Sequence, residues 1–300
     1  FQTIHSMVSS QKNNYFKKVA SLQRRNALLV VDEAHQSTAA TYQSVIEFLT
    51  NSKSKVLGLT ATPGRDDLKG KGNATQELAA FYEYNKLDIV DDDGHRLDDP
   101  IKYLQEKNIL APVERIRLET NTYVQLTSKE RKKVERSLEI PDSVLKRLSE
   151  DNQRTNLIVA QTMILAVEKK LQTIVFAASK QNAIDLAVLL ELRGCAAAAI
   201  TDESSDRAIS IKKFKDEDIK VLTNYGVLST GFDAPNIGAV VIGRPTLSVV
   251  LYSQMLGRGL RGKLMGGLPN CVLLDVIDNI DNMPPSEQAF TYFDNYYGGY

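Results

Sequence analysis

The stretch Ala27-Leu28-Leu29-Val30-Val31-Asp32-Glu33-Ala34-His35 joins an apolar run to two adjacent carboxylates. The apolar run predicts a buried strand of a parallel sheet, and the polar residues predict the loop at its carboxyl end. Ligands of open α/β sheets bind outside that end of the strands. A carboxylate pair there suits phosphoryl transfer, because one acid can hold Mg²⁺ while the other orients the attacking water. A polar helix start after a core strand is the alternative interpretation.

Three further segments carry candidate chemistry. A second apolar strand, Val56-Leu57-Gly58-Leu59, leads into Thr60-Ala61-Thr62-Pro63, whose hydroxyls can bridge the acid pair to a neighbouring segment. Thr230-Gly231-Phe232-Asp233-Ala234-Pro235 predicts a turn-rich loop after a strand at Ile219–Leu222. Gln254-Met255-Leu256-Gly257-Arg258-Gly259-Leu260-Arg261 places two arginines near the end of a predicted helix.

In this order the four segments resemble the DEAH, TAT, GxD and QxxGRxxR motifs of the superfamily 2 helicases and translocases. The finer patterns LTATPGR, LSTGFDAP and YSQMLGRGLRG resemble bacterial DEAD/DEAH-box proteins of the restriction-enzyme (type I/III) type, which move on double-stranded DNA. The resemblance covers nearly the whole chain. It implies an α/β fold of two RecA-like parallel-sheet domains, with ATP and Mg²⁺ as cofactors.

The resemblance also implies the role of each site residue. Asp32 and Glu33 are expected to hold Mg²⁺, with Glu33 as the base or water-orienting group. His35 is expected to relay the state of the γ-phosphate to Thr60 and Thr62. The residues expected to act from the second domain are Gln254, Arg258 and Arg261 in catalysis, Gly231 and Asp233 at the nucleotide, and Ser229 and Thr230 on nucleic acid. For Asp233, a turn carboxylate that caps its own loop is the alternative. For Arg258 and Arg261, a pair of helix C-terminal cations is the alternative.

The pattern of elements predicts a partial first domain over residues 1–110 and a second domain over residues 111–300. The second domain is expected to contain a charged helical insertion at about 127–150, with Thr127 and Glu130 as a capping box. The basic cluster Lys129–Lys133 is interpreted as a solvated helix face and not as a DNA contact. Downstream, one buried helical stripe is predicted; its members are Leu157, Ala160, Ile164 and Val167.

The first domain is predicted to be N-terminally truncated. Motors of this kind grip the β and γ phosphates with a G-x-x-x-x-G-K-[ST] loop, and no such loop occurs in these 300 residues. The near-match Gly257–Leu264 ends in leucine and follows a helix. Gly257, Gly259 and Gly262 also have dinucleotide-type spacing, but we interpret both glycine patterns as part of the arginine motif. We therefore expect this chain alone to be inactive as an ATPase.

Composition limits the remaining choices. The chain has 43% hydrophobic and 25% charged residues, with 37 basic and 37 acidic side chains, and no apolar run long enough to cross a membrane. We expect a cytoplasmic globular protein with Cys195 and Cys271 as core residues. Zero net charge decides nothing about nucleic acid. Double-stranded DNA is the expected partner, with RNA less favoured and a nuclease or methyltransferase partner open. A non-catalytic nucleic-acid-binding or regulatory module is the alternative function.

Overall fold

The structure, a computed structural model, describes residues 28–60, 74–87, 90–137, 140–228, 232, 234 and 236–280. The chain divides into two compact units, Phe1–Asp88 and Ile89–Tyr300. Both contain parallel strands and helices, so the predicted α/β class is confirmed.

The first unit is built around two parallel strands. Its elements in chain order are β1 (Leu28–Asp32), α1 (Ala40–Leu49), β2 (Lys55–Leu59) and α2 (Ala74–Phe81). β1 pairs with β2 in register, from Leu28 opposite Lys55 to Asp32 opposite Leu59. α1 is amphipathic and buries Ile46 and Leu49. The register brings the carboxyl ends of the two strands side by side.

The second unit contains a six-stranded parallel sheet. Its strands are β3 (Val113–Val124), β4 (Gln172–Phe176), β5 (Ala197–Ile200), β6 (Val221–Asn224), β7 (Ile237–Ile242) and β8 (Cys271–Ile280). Its helices are α3 (Pro100–Glu106), α4 (Ser128–Ser137), α5 (Asp142–Ser149), α6 (Asn152–Met163), α7 (Lys180–Leu192), α8 (Arg207–Lys215) and α9 (Val249–Leu256). The strand order is β3-β8-β7-β4-β6-β5. Each neighbouring pair runs parallel.

The central strands β4, β6 and β7 are buried along their whole length, with a hydrophobic core on each side. In β4, Ile174 and Phe176 belong to one core cluster, whereas Val175 belongs to another. The same alternation occurs in β7, where Val240 faces the first cluster and Val241 the second. This arrangement explains why these strands show no polar alternation in the sequence.

Residues from Ile89 onward cluster with the second unit because their backbone pairs with the segment after α9. The Ala111 amide donates to the Leu260 carbonyl over 2.9 Å, and the Gly262 amide donates to the Ile109 carbonyl over 2.9 Å. The predicted boundary at residue 110 groups this segment with the first domain. The contacts divide the chain after Asp88, while the domain boundary at residue 110 stays a prediction.

The predicted helical insertion is present as α4 and α5. The capping box is also present, because the Thr127 amide donates to Glu130 Oε2 over 2.9 Å and the Glu130 amide donates to Thr127 Oγ1 over 3.3 Å. A third small core, which includes Val134 and Leu145, holds the two helices together.

The predicted stripe on α6 is wrong by about one position. Ile158, Thr162 and Leu165 are buried, whereas Val167 is 46% exposed. Arg154, at the first turn of α6, is fully buried and paired with Asp278 through two hydrogen bonds of 2.7 and 2.9 Å. A stripe predicted from apolar residues alone is misplaced on α6, because the buried face of this helix begins with Arg154.

A turn at Asp93-Gly94 has Gly94 at φ +85°, and Val90 pairs with Arg96 in antiparallel fashion. The predicted burial of two cysteines is confirmed, because Cys195 and Cys271 are buried free thiols. Within the part of the chain that the structure describes, no helix has the length and apolarity needed to cross a membrane.

Candidate functional site

The acid pair lies where β1 ends. Asp32 is the last residue of the strand, and Glu33 takes up a left-handed backbone conformation with φ 52° and ψ 47°. The Glu33 amide donates to Asp32 Oδ1 over 2.9 Å. A left-handed conformation is uncommon for a residue with a side chain and recurs at functional sites. It turns the chain sharply after the strand, and the Glu33 side chain remains 36% exposed.

His35 connects this turn to the second strand. It lies in a short 3₁₀ turn (Ala34–Gln36) and is buried. Because Asp32 is opposite Leu59, Thr60 follows at the same sheet edge. His35 Nδ1 lies 3.1 Å from Thr60 Oγ1 and 3.5 Å from Glu33 Oε2. One ring nitrogen of His35 therefore lies close to both the acid pair and the threonine segment.

The turn after β1 is supported by close packing among Gly58, Ala34 and Tyr82. A Cβ on Gly58 would lie 2.6 Å from the Tyr82 ring and 2.8 Å from Ala34 Cβ. Tyr82 in turn exchanges a 2.8 Å hydrogen bond with the fully buried Ser37, and burial raises the pKa of its phenol. Only glycine allows the ring to pack against β2 here. The sequence analysis missed Tyr82, which lies 45 residues from Ser37.

The arginine segment begins with a well-capped helix. Ser248 caps α9 by accepting a hydrogen bond from the Leu251 amide over 3.1 Å. Gln254 lies in the last turn, and its carbonyl accepts a 3.2 Å hydrogen bond from Arg258 Nε. Arg258 Nη1 donates to the Phe232 carbonyl in the segment that carries the GFD sequence. Arg258 therefore connects two of the predicted motifs within the second unit.

The glycines of this segment are required by packing. A Cβ on Gly259 would lie 2.3 Å from Cys271 Sγ and 2.9 Å from Val240 Cγ2. A Cβ on Gly262 would lie 2.2 Å from the Asn108 carbonyl oxygen. Burial around Cys271 raises the pKa of its thiol to about 12. Close contacts with β7, β8 and the Asn108 backbone explain Gly259 and Gly262, while the assignment of the glycine patterns to the arginine motif stays a prediction.

A buried carboxylate also anchors α9. The Tyr252 hydroxyl lies 3.2 and 3.1 Å from the two carboxylate oxygens of Asp275, and both residues are fully buried. Sequence reasoning missed this pair, although an aspartate inside the apolar strand β8 is a signal that a partner is near. The pair fixes the helix that carries Gln254 and leads to the arginines.

The structure gathers the candidate residues into two groups. In the first unit, Asp32, Glu33, His35 and Thr60 form one cluster. In the second unit, Gln254, Arg258 and Arg261 belong to one helix and the turn that follows it. The predicted site residues outside the described ranges are Thr62, Ser229, Thr230, Gly231 and Asp233.

Parallel sheets flanked by helices in both units, with an acid pair at a strand end in one and a capped arginine segment in the other, define an α/β fold of the RecA-like class. Comparison with known families agrees. The model described as "Helicase conserved C-terminal domain" matches residues 153–263, and "Type III restriction enzyme, res subunit" matches residues 1–65. In these two segments the chain is similar to helicases and to restriction-enzyme motor subunits, in agreement with the resemblance that its motifs indicate.

One relative in sequence and two solved structures in fold illustrate the similarity. The Saccharomyces cerevisiae protein "Putative ATP-dependent helicase IRC3" is 28% identical over 83% of this chain and 34% of its own length. A fragment of an HsdR subunit of a type I restriction enzyme from Vibrio vulnificus shares the fold, with a TM-score of 0.59, 17% identity and coverage of 95% of this chain and 49% of that one. Dbp5 of S. cerevisiae bound to RNA and ADP BeF3 has a TM-score of 0.54 and 15% identity, over 95% of this chain and 62% of that one. This chain therefore spans about a third of the length of the IRC3 relative.

Proposed function

We propose that this chain is the core of an ATP-dependent DNA helicase or double-stranded DNA translocase, which couples ATP hydrolysis to movement on nucleic acid. The observation that carries the proposal is the cluster at the end of β1. There Glu33 projects from a left-handed turn and His35 reaches both Glu33 and Thr60. Such an arrangement can report a change at the acid pair to a neighbouring segment.

In the proposed reaction, Glu33 orients a water molecule for attack on the γ-phosphate and accepts its proton. His35 holds the Glu33 carboxylate and the Thr60 hydroxyl at one ring nitrogen, over 3.5 and 3.1 Å. When the carboxylate changes its contacts, the hydrogen bond to Thr60 changes with it. His35 is therefore the proposed relay between hydrolysis and the TAT segment.

The acid pair fits Mg²⁺ by its chemistry. Hard carboxylate oxygens at a sheet edge are the ligands this ion prefers, and Asp32 is exposed with only Oδ1 accepting the Glu33 amide. Asp32, with Glu33 beside it, would hold the ion. When bound, Mg²⁺ neutralises charge on the β and γ phosphates.

Arg258 and Arg261 are proposed to stabilise negative charge that builds on the γ-phosphate in the transition state. Arginine fingers of this kind contribute about three to five orders of magnitude in rate. Arg258 also bonds the Phe232 carbonyl, so we propose that it passes a change at the nucleotide to the loop around Gly231 and Asp233. Ser229 and Thr230 of the same loop are the proposed nucleic-acid contacts.

A second candidate is a non-catalytic nucleic-acid-binding or regulatory module. The absence of a G-x-x-x-x-G-K-[ST] sequence from these 300 residues favours it for this polypeptide by itself. RNA as the track, and a nuclease or methyltransferase as a partner, remain open within the main proposal.

Steady-state ATP hydrolysis in the presence of duplex DNA tests the proposal. We expect little turnover from the 300-residue chain, since it has no lysine loop for the β and γ phosphates. A longer protein that combines this chain with such a loop should show DNA-stimulated turnover. Glu33→Gln should abolish that turnover while DNA binding is kept. Strong turnover by the chain alone, or an active Glu33→Gln protein, contradicts the assignment.

A further inference from the structure

Helix α7 has two apolar faces, and only one of them is buried. Leu186 and Leu190 pack into the core on one side of the sheet and are at most 1% exposed. On the opposite face, Ile184, Val188 and Leu192 form a row at four-residue spacing, and they are 43%, 51% and 79% exposed. A helix that is apolar on all sides is normally buried. This apolar row therefore indicates a surface that a partner covers.

The apolar row borders a groove at the edge of the sheet. β5 is the last strand of the six-stranded sheet, and an open groove of about 500 Å³ lies between this strand and α7. The apolar row lines the groove together with the small side chains of Ala198 and Ala199. Sites for small molecules bury most of the ligand surface, which an open groove does not do. The groove is therefore better suited to a segment of a protein.

The apolar row is held in a fixed position. Ser179 caps α7 by accepting a hydrogen bond from the Asn182 amide over 3.1 Å. Gly194, with φ +83°, follows the helix at its other end in the left-handed conformation typical of a helix stop. Because the helix is anchored along its buried face and at both ends, its outer face loses little freedom when a partner binds.

Acidic side chains flank the apolar row on both sides. Asp185 and Glu191 lie three residues before and after Val188, which places them on opposite flanks of the row at 3.6 residues per turn. Asp185 accepts a 2.8 Å hydrogen bond from the Gln181 side chain, and Glu191 accepts a 3.1 Å hydrogen bond from the Ala197 amide. Both donors are uncharged, so neither bond neutralises a carboxylate. A partner with basic residues beside its apolar ones complements this surface.

We infer that the groove between α7 and β5 binds an amphipathic helix of a partner protein, with apolar residues on one face and lysine or arginine on both flanks of that face. The apolar row extends over about 12 Å, the length of roughly two turns of helix. It can therefore receive two or three apolar side chains from the partner. The inference goes beyond the proposed motor function, because none of the motif residues lies on α7 or β5.

A strand added to the edge of the sheet fits this surface less well. The Ala197 amide at the start of β5 donates to Glu191 Oε1 over 3.1 Å. The Thr201 amide, directly after the strand, donates to Ser204 Oγ over 2.9 Å. Because side chains already bind the amides at both ends of this four-residue strand, an added strand would have to displace them.

The acidic flanks disfavour two other occupants. A second copy of α7 packed on the first would bring acids beside acids along both flanks of the apolar row, which opposes association. Nucleic acid and anionic membranes bind through basic side chains, and the carboxylates of Asp185 and Glu191 repel them. A basic amphipathic helix meets both the apolar and the acidic part of the surface.

The test is binding of fluorescein-labelled synthetic peptides to the full 300-residue chain, followed by fluorescence anisotropy. The first peptide is a helix with leucine on one face and lysine on both flanks. The second keeps the leucines and has glutamate in place of each lysine, and the third contains the residues of the first in scrambled order. We expect the first peptide to bind at least tenfold more tightly than either of the others.

A triple variant tests whether binding takes place at the apolar row (Ile184→Gln, Val188→Gln and Leu192→Gln). It should weaken binding of the lysine peptide at least tenfold, because apolar anchors at the centre of an interface supply most of its affinity. Glutamine is a good helix former, so α7 should persist, and thermal melting checks the fold. The matched control changes three exposed apolar residues that do not line the groove, and it should keep the wild-type affinity (Ile209→Gln, Leu264→Gln and Met265→Gln).

A charge reversal tests the acidic flanks. In the double variant Asp185→Lys and Glu191→Lys, the glutamate peptide should bind more tightly than the lysine peptide. Equal binding of the ordered and scrambled peptides, equal losses in both glutamine variants, or an unchanged preference in the lysine variant overturns the inference. So does a wild-type dimer in sedimentation that the apolar-row variant abolishes, since a second copy would then be the occupant. A longer protein containing this chain that fails to bind the lysine peptide also overturns it.

Discussion

At the scale of the residue, the conformation of the acid pair depends on the absence of a side chain at Gly58. Gly58 lets the Tyr82 ring and Ala34 approach β2, and Ala34 follows Glu33 directly. The conformation of Asp32 and Glu33 thus depends on the packing of Gly58, Ala34 and Tyr82, none of which has a proposed catalytic role. Sequence reasoning found the acids because motif order identifies them. It could not find Tyr82, because its partner Ser37 lies 45 positions away and neither residue stands out locally.

Gly58→Ala should destabilise the protein by about 1 to 3 kcal/mol, the usual cost of forcing a methyl group into a packed site. The added Cβ would lie 2.6 Å from the Tyr82 ring, so one of the two must move. Urea unfolding measures the change in unfolding free energy. The Tyr82→Leu background is the control, where the same substitution should cost less. Equal costs in both backgrounds would show that the ring is not the obstacle.

At the scale of the element, helices of the second unit are fixed by buried charges as much as by apolar stripes. Arg154 pairs with Asp278, 124 positions away, and this pair sets the rotation of α6. The predicted apolar stripe on α6 was wrong for that reason. The strand predicted at Ile219–Leu222 is present as β6, which begins and ends two residues later, at Val221 and Asn224. The capping box of α4 was predicted because its two partners are three residues apart.

Glu130 should stabilise α4 in a pH-dependent way. Desolvation raises the pKa of its carboxyl, but hydrogen bonds from Ser143 and Thr127 and the charge of Arg147 outweigh it and lower the pKa to about 2. A pKa depressed by folding means that the ionised group stabilises the fold above its unfolded pKa, and that this stabilisation is lost as the pH falls towards the folded pKa. Glu130→Gln should therefore cost about 1 to 3 kcal/mol at neutral pH.

Urea unfolding from pH 7 downward measures this cost. The difference between wild type and Glu130→Gln should shrink as the pH falls from about 4.5 to about 2. Glu150→Gln is the control, because Glu150 is 62% exposed and its ion pair with Lys146 is long, at 3.7 Å. It should have little effect at any pH. A pH-independent cost for Glu130→Gln would mean that its charge contributes nothing to the fold.

At the scale of the whole molecule, the proposed function requires that one polypeptide supply two sets of groups to one reaction. The first unit contains the acids and His35, and the second contains the arginines on a segment anchored by Tyr252 and Asp275. The motif order predicted this division, and the structure confirms the α/β fold of both units. The loop from 229 to 231 lies outside the described residues, so its roles stay predictions.

The most direct measurement is a double-mutant comparison of DNA-stimulated ATP turnover, in a longer protein that adds a phosphate-binding lysine loop to this chain. Glu33→Gln and Arg261→Ala should each lower turnover by about a thousandfold or more, and the double variant should be little worse than the poorer single variant, because groups that act on one reaction are not additive. Normal turnover in Arg261→Ala, or losses that multiply in the double variant, would contradict a shared ATPase reaction.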